Sequence, residues 1–522
     1  MSSSFASPLV HFALLSEATD SDCACVENSH PFLRLDPADS DCACAHTPCP
    51  SISSTDLNGP WRTAKDVTRI TLPGDWHGLF APPGGSVSLA VLNQPAYDLW
   101  SRFQSSQTID TLQLGKDETQ ALYKMAAAGL LREDSLTAIR HTCTCDGAQR
   151  RCKCSPLAIR NSVLASWLHL TDRCNLRCSY CYLPHASEDM TSATGRAAID
   201  ATFRSAVAHG YQRVKFKYAG GEPLLRSTLI KELHQYAHQL AKENELELDG
   251  VVLSNGTLLT QSLLSNLQSL DLRLMISLDG IGDWHNTQRP YVGDRGSFND
   301  VAEAVELALD HDLVPDISIT ISGRNAEGLP EIIAWVLERD LPFSVNFYRQ
   351  NDFSVTHEDL QLEEEKIIAG MMAAFEVVEA NLPERSLLAS LADRANLALP
   401  HTRTCSVGDS YLVFDQHGRV AKCQMQMDQP VTDIHAADPL ALVREDTLGI
   451  QNISVEEKQG CRDCQWKLWC AGGCPLETHR ATGRYDLKSP NCNIYKAIFP
   501  EVLRLEGLRL LKYATELEQA VA

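Results

Sequence analysis

Six short apolar segments alternate with five amphipathic segments between residues 160 and 350, and this alternation restricts the fold more than any other feature. The apolar segments predict strands over 164–171, 213–218, 250–254, 272–278, 316–321 and 343–347. The amphipathic segments predict helices over 193–209, 227–242, 261–270, 298–311 and 328–339. Strands that alternate with helices pair in parallel through right-handed crossovers. The sequence therefore predicts an α/β body built on a parallel sheet.

Several motifs follow the ends of these predicted strands. A cysteine motif at 174–181 follows the first strand, and Gly220-Gly221-Glu222-Pro223 follows the second. Ser254-Asn255-Gly256 at the end of the third strand is typical of a turn, and Ser277-Leu278-Asp279-Gly280 ends the fourth. Parallel α/β folds place their functional sites at the carboxyl ends of the strands. These motifs are therefore expected to lie at one end of the sheet.

The cysteine motif can bind a metal cluster from a single loop. Cys174, Cys178 and Cys181 are separated by three and two residues, which allows their thiolates to hold three corners of a cubane cluster. A four-iron cluster normally takes four protein thiolates, and the next cysteine along the chain is Cys405. Three ligands leave one iron open to a small molecule. On spacing alone, a zinc knuckle is the alternative.

The motif resembles the cluster loop of the radical S-adenosylmethionine (radical SAM) enzymes. The resemblance implies a partial (β/α)6 barrel whose [4Fe–4S] cluster is held by Cys174, Cys178 and Cys181. In that family the open iron binds S-adenosyl-L-methionine (SAM), and the cluster reduces it to a 5′-deoxyadenosyl radical. The resemblance also implies an electron donor such as flavodoxin or ferredoxin.

The resemblance assigns contacts with SAM residue by residue. Tyr180 matches the position near the adenine, and Gly220, Gly221 and Glu222 match the position for the amino group. Ser277 and Asp279 match the position for the ribose, and Arg289 matches the position for the carboxylate. A guanidinium suits a carboxylate because it can bind it through two hydrogen bonds. An internal ion pair between Asp279 and Arg289 is the alternative interpretation.

Seven further cysteines lie near the C-terminus, and their spacing resembles the SPASM domain. The resemblance implies two auxiliary [4Fe–4S] clusters, with zinc as the alternative metal. The outer cluster is assigned to Cys461, Cys464, Cys470 and Cys492, and the inner cluster to Cys405, Cys423 and Cys474. Because no eighth cysteine lies between Cys181 and Cys405, the inner cluster is expected to have an open iron or a non-cysteine ligand, with His401 as a candidate. An open iron that binds a substrate thiolate would favour thioether chemistry.

One residue departs from the pattern of the sulfatase maturases, which share this architecture. Those enzymes place an aspartate directly after the second SPASM cysteine, as the base for the substrate radical. Here Gln424 follows Cys423, and an amide is a poor proton acceptor. Asp428 is the candidate substitute. The departure disfavours formylglycine formation.

Nine cysteines precede residue 155, and eight of them form CxC pairs. Neighbouring thiolates favour a soft metal, so a structural site, with zinc as the candidate, is one interpretation. Free or redox-active thiols are the alternative for the later pairs, and fortuitous repetition in a loose tail is the alternative for the earlier ones. The paired cysteines are Cys23, Cys25, Cys42, Cys44, Cys143, Cys145, Cys152 and Cys154.

Residues 66–140 predict a small α+β module. Strands are expected over 68–72, 77–80 and 86–92, with a turn at 82–85. Asn93 is expected to cap one helix, and a second helix is expected over 119–131. The order is similar to that of the winged-helix domains that recognise leader peptides, which implies a precursor-peptide partner. A structural cap on the next domain is the alternative.

Composition excludes some classes of function. The formal charge of −21 disfavours a general nucleic-acid binder, whose surface is basic. No stretch approaches the roughly 20 apolar residues that cross a membrane. The N-terminus lacks the basic region of a signal peptide, so a cytoplasmic location is expected. Nineteen cysteines in a chain without an export signal favour metal binding over disulfides.

Together these features predict a radical SAM maturase with a C-terminal SPASM domain, which installs a thioether or C–C cross-link in a ribosomally made peptide or protein. The alternatives are sulfatase-maturase-like oxidation, small-molecule dehydrogenation, and a metal-binding scaffold for a partner protein. The predicted units are an N-terminal extension (1–65), the winged-helix-like module (66–140), a CxC linker (141–159), the barrel (160–350), a helical bridge (351–400), the SPASM domain (401–495) and a last helix (496–522).

Overall fold

The computed structural model describes residues 9–14, 59–80, 87–109, 112–133 and 163–521. The turn predicted at 82–85 and all the CxC pairs lie outside these residues, so the predictions about them stay untested. The cysteines concerned are Cys23, Cys25, Cys42, Cys44, Cys143, Cys145, Cys152 and Cys154.

Two small antiparallel sheets and two helices form the N-terminal module. Its elements are β1 (Val10–Leu14), β2 (Pro60–Thr63), β3 (Thr68–Thr71), β4 (Trp76–Phe80), β5 (Val87–Asn93), α1 (Gln94–Ser101), β6 (Gln107–Thr108), α2 (Lys116–Ala127) and β7 (Leu131–Glu133). One sheet has the strand order β1–β5–β4–β3 and the other β6–β2–β7. The three predicted strands correspond to β3, β4 and β5. The interpretation as a peptide-recognition module stays a prediction.

Local hydrogen bonds explain where the two helices begin and end. The side chain of Asn93 accepts a hydrogen bond from the Ala96 backbone, so the predicted cap of α1 is confirmed. The second helix begins earlier than predicted, because the Glu118 carboxylate accepts a hydrogen bond from Gly115 N at 2.9 Å. It ends before Gly129, whose φ of +77° is left-handed. Leu131 therefore belongs to β7 instead of to the helix.

The central body has the predicted alternation of parallel strands and helices. Its elements are β8 (Val163–His169), α3 (Ser192–His209), β9 (Arg213–Ala219), α4 (Ser227–Glu243), β10 (Glu247–Ser254), α5 (Gln261–Ser269), β11 (Arg273–Ser277), α6 (Asp283–Asn286), α7 (Phe298–Leu309), β12 (Asp316–Ile321), α8 (Leu329–Glu338) and β13 (Phe343–Phe347). All neighbouring strands from β8 to β13 pair in parallel. Six strands and five helices are confirmed to within a few residues, and the short α6 was not predicted.

The two faces of the parallel sheet differ in character. On β9, Phe216 and Tyr218 belong to the main hydrophobic core, which includes residues of the covering helices. Lys215 and Lys217 alternate with them and are 3 % and 1 % exposed, so they point to the opposite face and are also buried. The Lys217 ammonium lies 5.2 Å from the centre of the Tyr411 ring. At β9, the inner face of the sheet therefore carries buried charged side chains.

The C-terminal region continues the same sheet. Its elements are α9 (Glu364–Ala380), β14 (Tyr411–Phe414), β15 (Arg419–Ala421), β16 (Thr432–Asp433), α10 (Pro439–Glu445), α11 (Lys467–Cys470), α12 (Pro475–Thr482) and α13 (Cys492–Val521). Strand β14 pairs in parallel with β8, and β15 and β16 extend the sheet as an antiparallel meander. The cysteine-rich segment and the barrel therefore share a nine-stranded sheet.

The segment predicted as a helical bridge over 351–400 is α-helical only in α9. Residues 381–400 form turns and bends, and Pro383 lies three residues after the end of α9. Glu506 on α13 binds this segment, because its carboxylate accepts hydrogen bonds from Ser386 Oγ at 3.0 Å and from Leu387 N at 2.9 Å. The helical character predicted for the bridge therefore ends with α9, because tertiary hydrogen bonds replace helical ones after it.

The N-terminal module packs on the C-terminal region. The Phe80 ring of β4 lies 4.5 Å from the Trp469 ring and 6.0 Å from the Trp466 ring, measured between ring centres. Leu72 packs on Gly507 of α13, where an added Cβ would lie 2.8 Å from the leucine side chain. Within the described residues, no helix combines the length and apolar character that a membrane crossing requires.

The contact between Phe80 and the two tryptophans is expected to stabilise the whole chain. Phe80 is 2 % exposed, so Phe80→Ala leaves a cavity and should lower the free energy of unfolding by about 3–5 kcal/mol. Guanidinium unfolding followed by tryptophan fluorescence measures this change. Phe353 is 56 % exposed, and Phe353→Ala is the matched control, expected within about 0.5 kcal/mol of the native chain. Equal effects of the two substitutions would contradict the contact.

His234 on α4 should make the stability depend on pH. It is 1 % exposed, and its Nδ1 lies 3.0 Å from Tyr218 Oη. Burial, assisted by His238, lowers the pKa of His234 to about 4 from its ordinary 6.5. Because folding favours the neutral ring, its contribution is complete above pH 6.5 and is lost as the pH falls towards 4, by about 3 kcal/mol.

The difference in unfolding free energy between the native chain and His234→Gln, measured from pH 7.5 to 4.5, isolates this effect. The difference should shrink as the pH falls, because only the native chain must protonate a buried imidazole. His435 is exposed, and His435→Gln should follow the native pH profile. A constant difference for His234→Gln would show that the buried ring does not resist protonation.

Candidate active site

The loop between β8 and α3 carries three free thiols in a partly buried setting. Leu176 N donates a hydrogen bond to Cys174 Sγ at 3.4 Å, and Asn255 Nδ2 lies 3.8 Å from the same sulfur. Burial raises the pKa of Cys174 to about 11, and burial together with Cys178 raises the pKa of Cys181 to about 12. Thiolates at this loop therefore need a compensating positive charge, which iron ions supply on binding. The residues fit a three-thiolate cluster site.

Gly220 and Gly221 allow the loop after β9 to pack directly on the cysteine loop. An added Cβ would lie 2.4 Å from Thr171 O at Gly220 and 2.3 Å from Arg173 O at Gly221. Gly220 also has a φ of +145°, which side chains rarely adopt. Gly221 N donates to Thr171 O at 2.7 Å. The two glycines that were assigned to the SAM amino group therefore also let their backbone pack on the cysteine loop.

Glu222 stabilises the contact between these two loops. Its buried carboxylate accepts hydrogen bonds from Leu224 N at 2.9 Å, Asn255 N at 2.8 Å and Ser254 Oγ at 2.9 Å. Burial raises the pKa of Glu222, an effect that these hydrogen bonds oppose. Asn255 Nδ2 also donates to Asn175 Oδ1 at 2.9 Å, which connects the third strand to the cysteine loop. The Ser254–Asn255 motif, interpreted from the sequence as a turn, is therefore part of the site.

Tyr180, Asp279 and Arg289 meet in one buried cluster beside the cysteine loop. Tyr180 Oη donates to Asp279 Oδ2 at 2.6 Å, and Arg289 Nη1 lies 3.5 Å from the same oxygen. The Arg289 guanidinium also donates to the Tyr180 hydroxyl. Burial raises the pKa of Asp279, an effect that Arg289 opposes. The internal ion pair considered as an alternative is therefore present. Ser277 is half-buried at the end of β11, two residues before Asp279.

His285 holds the backbone of this cluster and was missed by the sequence analysis. Asp279 N donates to its Nδ1 at 3.1 Å, which leaves the proton on Nε2 to be donated to Ser297 Oγ at 3.1 Å. Ser297 Oγ in turn donates to the Arg289 carbonyl at 2.5 Å. Burial lowers the pKa of His285 well below its ordinary range, so the ring is neutral. No motif marks this histidine in the sequence.

Four of the C-terminal cysteines line a single pocket. They are the four that the resemblance assigned to the outer cluster: Cys461, Cys464, Cys470 and Cys492. Aromatic side chains of Trp466, Tyr495 and Phe499 form part of its wall. All cysteines in the described part of the chain are free thiols. Among the described residues, no group of three or more side chains is arranged to hold a single metal ion. The assignment of these four thiols to one cluster stays a prediction.

The other three C-terminal cysteines lie in a different part of the structure. Cys405, Cys423 and Cys474 all pack in the small hydrophobic cluster that joins β14 to β8. Asn452 Nδ2 lies 3.6 Å from Cys405 Sγ, a contact that the sequence did not indicate. His401 Nδ1 donates to Leu399 O at 3.0 Å, which leaves Nε2 as the ring nitrogen with a lone pair. Its role as a ligand stays a prediction.

Two polar residues near Cys423 bear on the choice of base. The Gln424 side chain accepts a hydrogen bond from Tyr411 Oη at 3.2 Å. Asp428, the candidate substitute for the missing aspartate, is exposed to solvent. An exposed carboxylate does not face a buried substrate radical, so the structure offers no support for Asp428 as the base.

Comparison with known proteins identifies the central body. Residues 168–336 match the family model described as the Radical SAM superfamily. This segment is a radical SAM domain. The match begins on β8 and includes the cysteine loop, so the resemblance and the partial-barrel fold expected from the sequence are confirmed.

Relatives of the chain include enzymes of several kinds. It is 28 % identical over 208 residues to the Fe-coproporphyrin III synthase of Methanosarcina barkeri, covering 38 % of this chain and 48 % of the relative. It is 24 % identical over 174 residues to the cysteine-type anaerobic sulfatase-maturating enzyme of Clostridium perfringens, covering 33 % of this chain and 47 % of the relative. The chain thus spans about half the length of these two relatives.

One solved structure resembles a larger part of the chain. Native anSMEcpe with bound AdoMet and Cp18Cys peptide has a TM-score of 0.55 at 18 % identity, covering 66 % of this chain and 99 % of that one. At 18 % identity, this similarity is evidence about the fold and not about the activity. It extends beyond the radical SAM domain, which alone is 168–336.

Gly221 offers a test of the junction between the two loops. Because a Cβ would lie 2.3 Å from Arg173 O, Gly221→Ala must displace the cysteine loop of the radical SAM domain. After anaerobic reconstitution, the variant should hold about four fewer irons than the native chain. Gly115→Ala is the control, because its nearest neighbour would lie at 3.8 Å. Full iron in Gly221→Ala would show that the loop tolerates the displacement.

Proposed function

We propose that the chain is a radical SAM maturase that removes a hydrogen atom from a side chain of a ribosomally made peptide or protein and installs a cross-link. The observation that carries the proposal is the parallel pairing of β14 with β8. Because the two strands end at the same edge of the sheet, the loop with Cys174, Cys178 and Cys181 and the hairpin that leads to Cys423 lie at one end of it.

Hydrogen bonds hold these two parts of the chain together at that end of the sheet. Gln416, in the turn between β14 and β15, donates from Nε2 to Asp172 Oδ2 at 2.8 Å and to Glu188 Oε2 at 2.9 Å. Asp172 also lies 2.7 Å from His169 Nε2. Because both acidic residues belong to the loop after β8, the C-terminal region has a defined position against the radical SAM loop.

Each predicted contact has a role in this proposal. Cys174, Cys178 and Cys181 would hold a [4Fe–4S] cluster, which when bound with SAM supplies the 5′-deoxyadenosyl radical. Arg289 would exchange its contact with Asp279 for the SAM carboxylate, which frees Asp279 to accept a hydrogen bond from the ribose. Tyr180 would cover the adenine. The burial of these groups excludes water from a reactive radical.

The remaining predicted residues have supporting roles. Glu222 and the two preceding glycines would bind the SAM amino group while they hold the loop, and Ser277 would contact the ribose. The pocket of Cys461, Cys464, Cys470 and Cys492 would hold the outer auxiliary cluster, and Cys405, Cys423 and Cys474 the inner one. These clusters would accept the electron that remains after bond formation, and a flavodoxin or ferredoxin would supply the first electron.

A peptide substrate is supported by the fold and by the N-terminal module. Native anSMEcpe, whose fold resembles 66 % of this chain, has been solved with a bound Cp18Cys peptide. Thioether or C–C formation is favoured over oxidation to formylglycine, because Gln424 stands after Cys423 and Asp428 is exposed. Oxidation of the sulfatase-maturase type is the second candidate, supported by the similarity to the Clostridium perfringens enzyme.

The first test is cleavage of SAM by the reconstituted chain with dithionite under anaerobic conditions. The native chain should release 5′-deoxyadenosine, and Cys178→Ala should reduce it to background, because the loop then offers two thiolates. The double variant Cys461→Ala and Cys464→Ala should keep this activity, because those residues line a separate pocket. Liquid chromatography with mass spectrometry measures the product. Release of 5′-deoxyadenosine by Cys178→Ala would overturn the assignment of the loop.

Cysteine-containing peptides then distinguish the two candidate reactions. A cross-link removes two hydrogens, one to 5′-deoxyadenosine and one as a proton with its electron passed to an acceptor. The peptide therefore loses about 2 Da and one free thiol if a thioether forms. Formylglycine instead reacts with a hydrazide probe. An aldehyde product would replace the first candidate with the second.

A further inference from the structure

Lys458 is a buried lysine that the proposed chemistry does not use. Its side chain is fully buried, with 0 % exposure. Its Nζ donates a hydrogen bond to the Ala471 carbonyl at 2.8 Å. Within the part of the chain that the structure describes, no carboxylate forms an ion pair with it. A buried ammonium is strongly unfavourable unless other groups compensate its charge.

The position of Lys458 indicates which groups provide that compensation. Ala471 lies between Cys470 of the outer group and Cys474 of the inner group. Its carbonyl also accepts a hydrogen bond from Thr404 Oγ1 at 3.1 Å, directly before Cys405. The Lys458 carbonyl accepts a hydrogen bond from Cys461 N at 3.2 Å. Lys458 is therefore attached to segments that carry cysteines of both groups.

Electrostatics agree with this placement. Burial lowers the pKa of Lys458, and four thiols oppose that effect. Two of them belong to the outer group and two to the inner group: Cys461 and Cys470, and Cys405 and Cys474. These four thiols belong to the segments around Ala471, Thr404 and Cys461, which the hydrogen bonds of Lys458 and Ala471 join.

The backbone is shaped to admit this side chain. Ala471, Gly472 and Gly473 all have left-handed φ values, of +45°, +79° and +72°. An added Cβ at Gly472 would lie 2.5 Å from Lys458 Cδ and 3.0 Å from its Nζ. The lysine side chain therefore occupies the space that a Cβ at Gly472 would need. A neutral, smaller side chain at 458 would have left this space open.

We propose that Lys458 is a positioning residue that holds a fixed positive charge between the two auxiliary clusters and raises the reduction potential of both. The inference rests on the proposed function, which assigns clusters to these cysteines. Net charge and hydrogen bonds near the sulfurs tune the potential of an iron–sulfur cluster. A nearby cation stabilises the electron added on reduction, and it does so strongly in a medium of low dielectric constant. Lys458 would thus keep both clusters able to accept the electron left after bond formation.

The test compares charge with shape at this one position. Lys458→Met removes the charge and the donor, Lys458→Gln keeps a donor without the charge, and Lys458→Arg keeps both. Redox titration of the reconstituted chains, followed by electron paramagnetic resonance, measures the potentials. Both neutral variants should change the ratio of reduced to oxidised auxiliary cluster about tenfold at a fixed potential, a downward shift of about 59 mV. Lys458→Arg should shift much less, and the radical SAM cluster should not shift.

Iron content separates this inference from the proposed function. The native chain should hold about twelve irons, as three four-iron clusters require. About four irons in the native chain would overturn both the auxiliary clusters and the role of Lys458. Full iron with unchanged potentials in Lys458→Gln would overturn the role of Lys458 alone. So would loss of auxiliary iron in all three variants, because the shape of the side chain would then be what matters.

One further outcome supports the inference. If both neutral variants lose auxiliary iron while Lys458→Arg retains it, the charge is needed even to assemble the clusters. Lys366→Met is the control for net charge, because Lys366 on α9 forms an ion pair with Glu327. It should leave the iron content and all the potentials unchanged. A shift of equal size in this control would also overturn the proposal, because any lost lysine would then have the same effect.

Discussion

The pairing of β14 with β8 is the interaction on which the arrangement of the candidate site depends. Four backbone pairs, from Tyr411 with Ala165 to Phe414 with Leu168, align the two strands in parallel. Both strands therefore end at the same edge of the sheet. The loop after β8 carries Cys174, Cys178 and Cys181, and the hairpin after β14 leads to Cys423. Without this pairing, nothing in the chain order would bring those cysteines together.

A second common property is the burial of charge with only partial compensation. Glu222 is satisfied by three hydrogen bonds, and Asp279 shares its charge with Arg289 and Tyr180. Lys458 has a single carbonyl as its hydrogen-bond partner. Each of these groups is costly to bury alone. Glu222 and Asp279 lie beside the cysteine loop after β8, and Lys458 contacts the segment between Cys470 and Cys474. Charge buried beside thiols is the physical reason to regard both places as functional.

The sequence predicted some levels of structure better than others. All six strands and five helices of the barrel follow from periodicity, because one face of each element is buried on a continuous core. The helical bridge predicted over 351–400 is not helical where Glu506 of the distant α13 binds the backbone of Leu387. His285 and Asn452 carry no pattern, since a lone buried polar residue looks the same in the sequence whether it supports a site or not.

By itself, the sequence determined the α/β alternation, the three groups of cysteines and the motifs at the strand ends. These depend on local spacing, which one segment of chain contains completely. Only the tertiary structure decided that Arg289 pairs with Asp279, that Gly221 packs on Arg173, and that Lys458 is joined by hydrogen bonds to segments that carry both groups of thiols. Such contacts join residues far apart in the chain. Their existence follows from strand order and packing, which spacing along the chain does not specify.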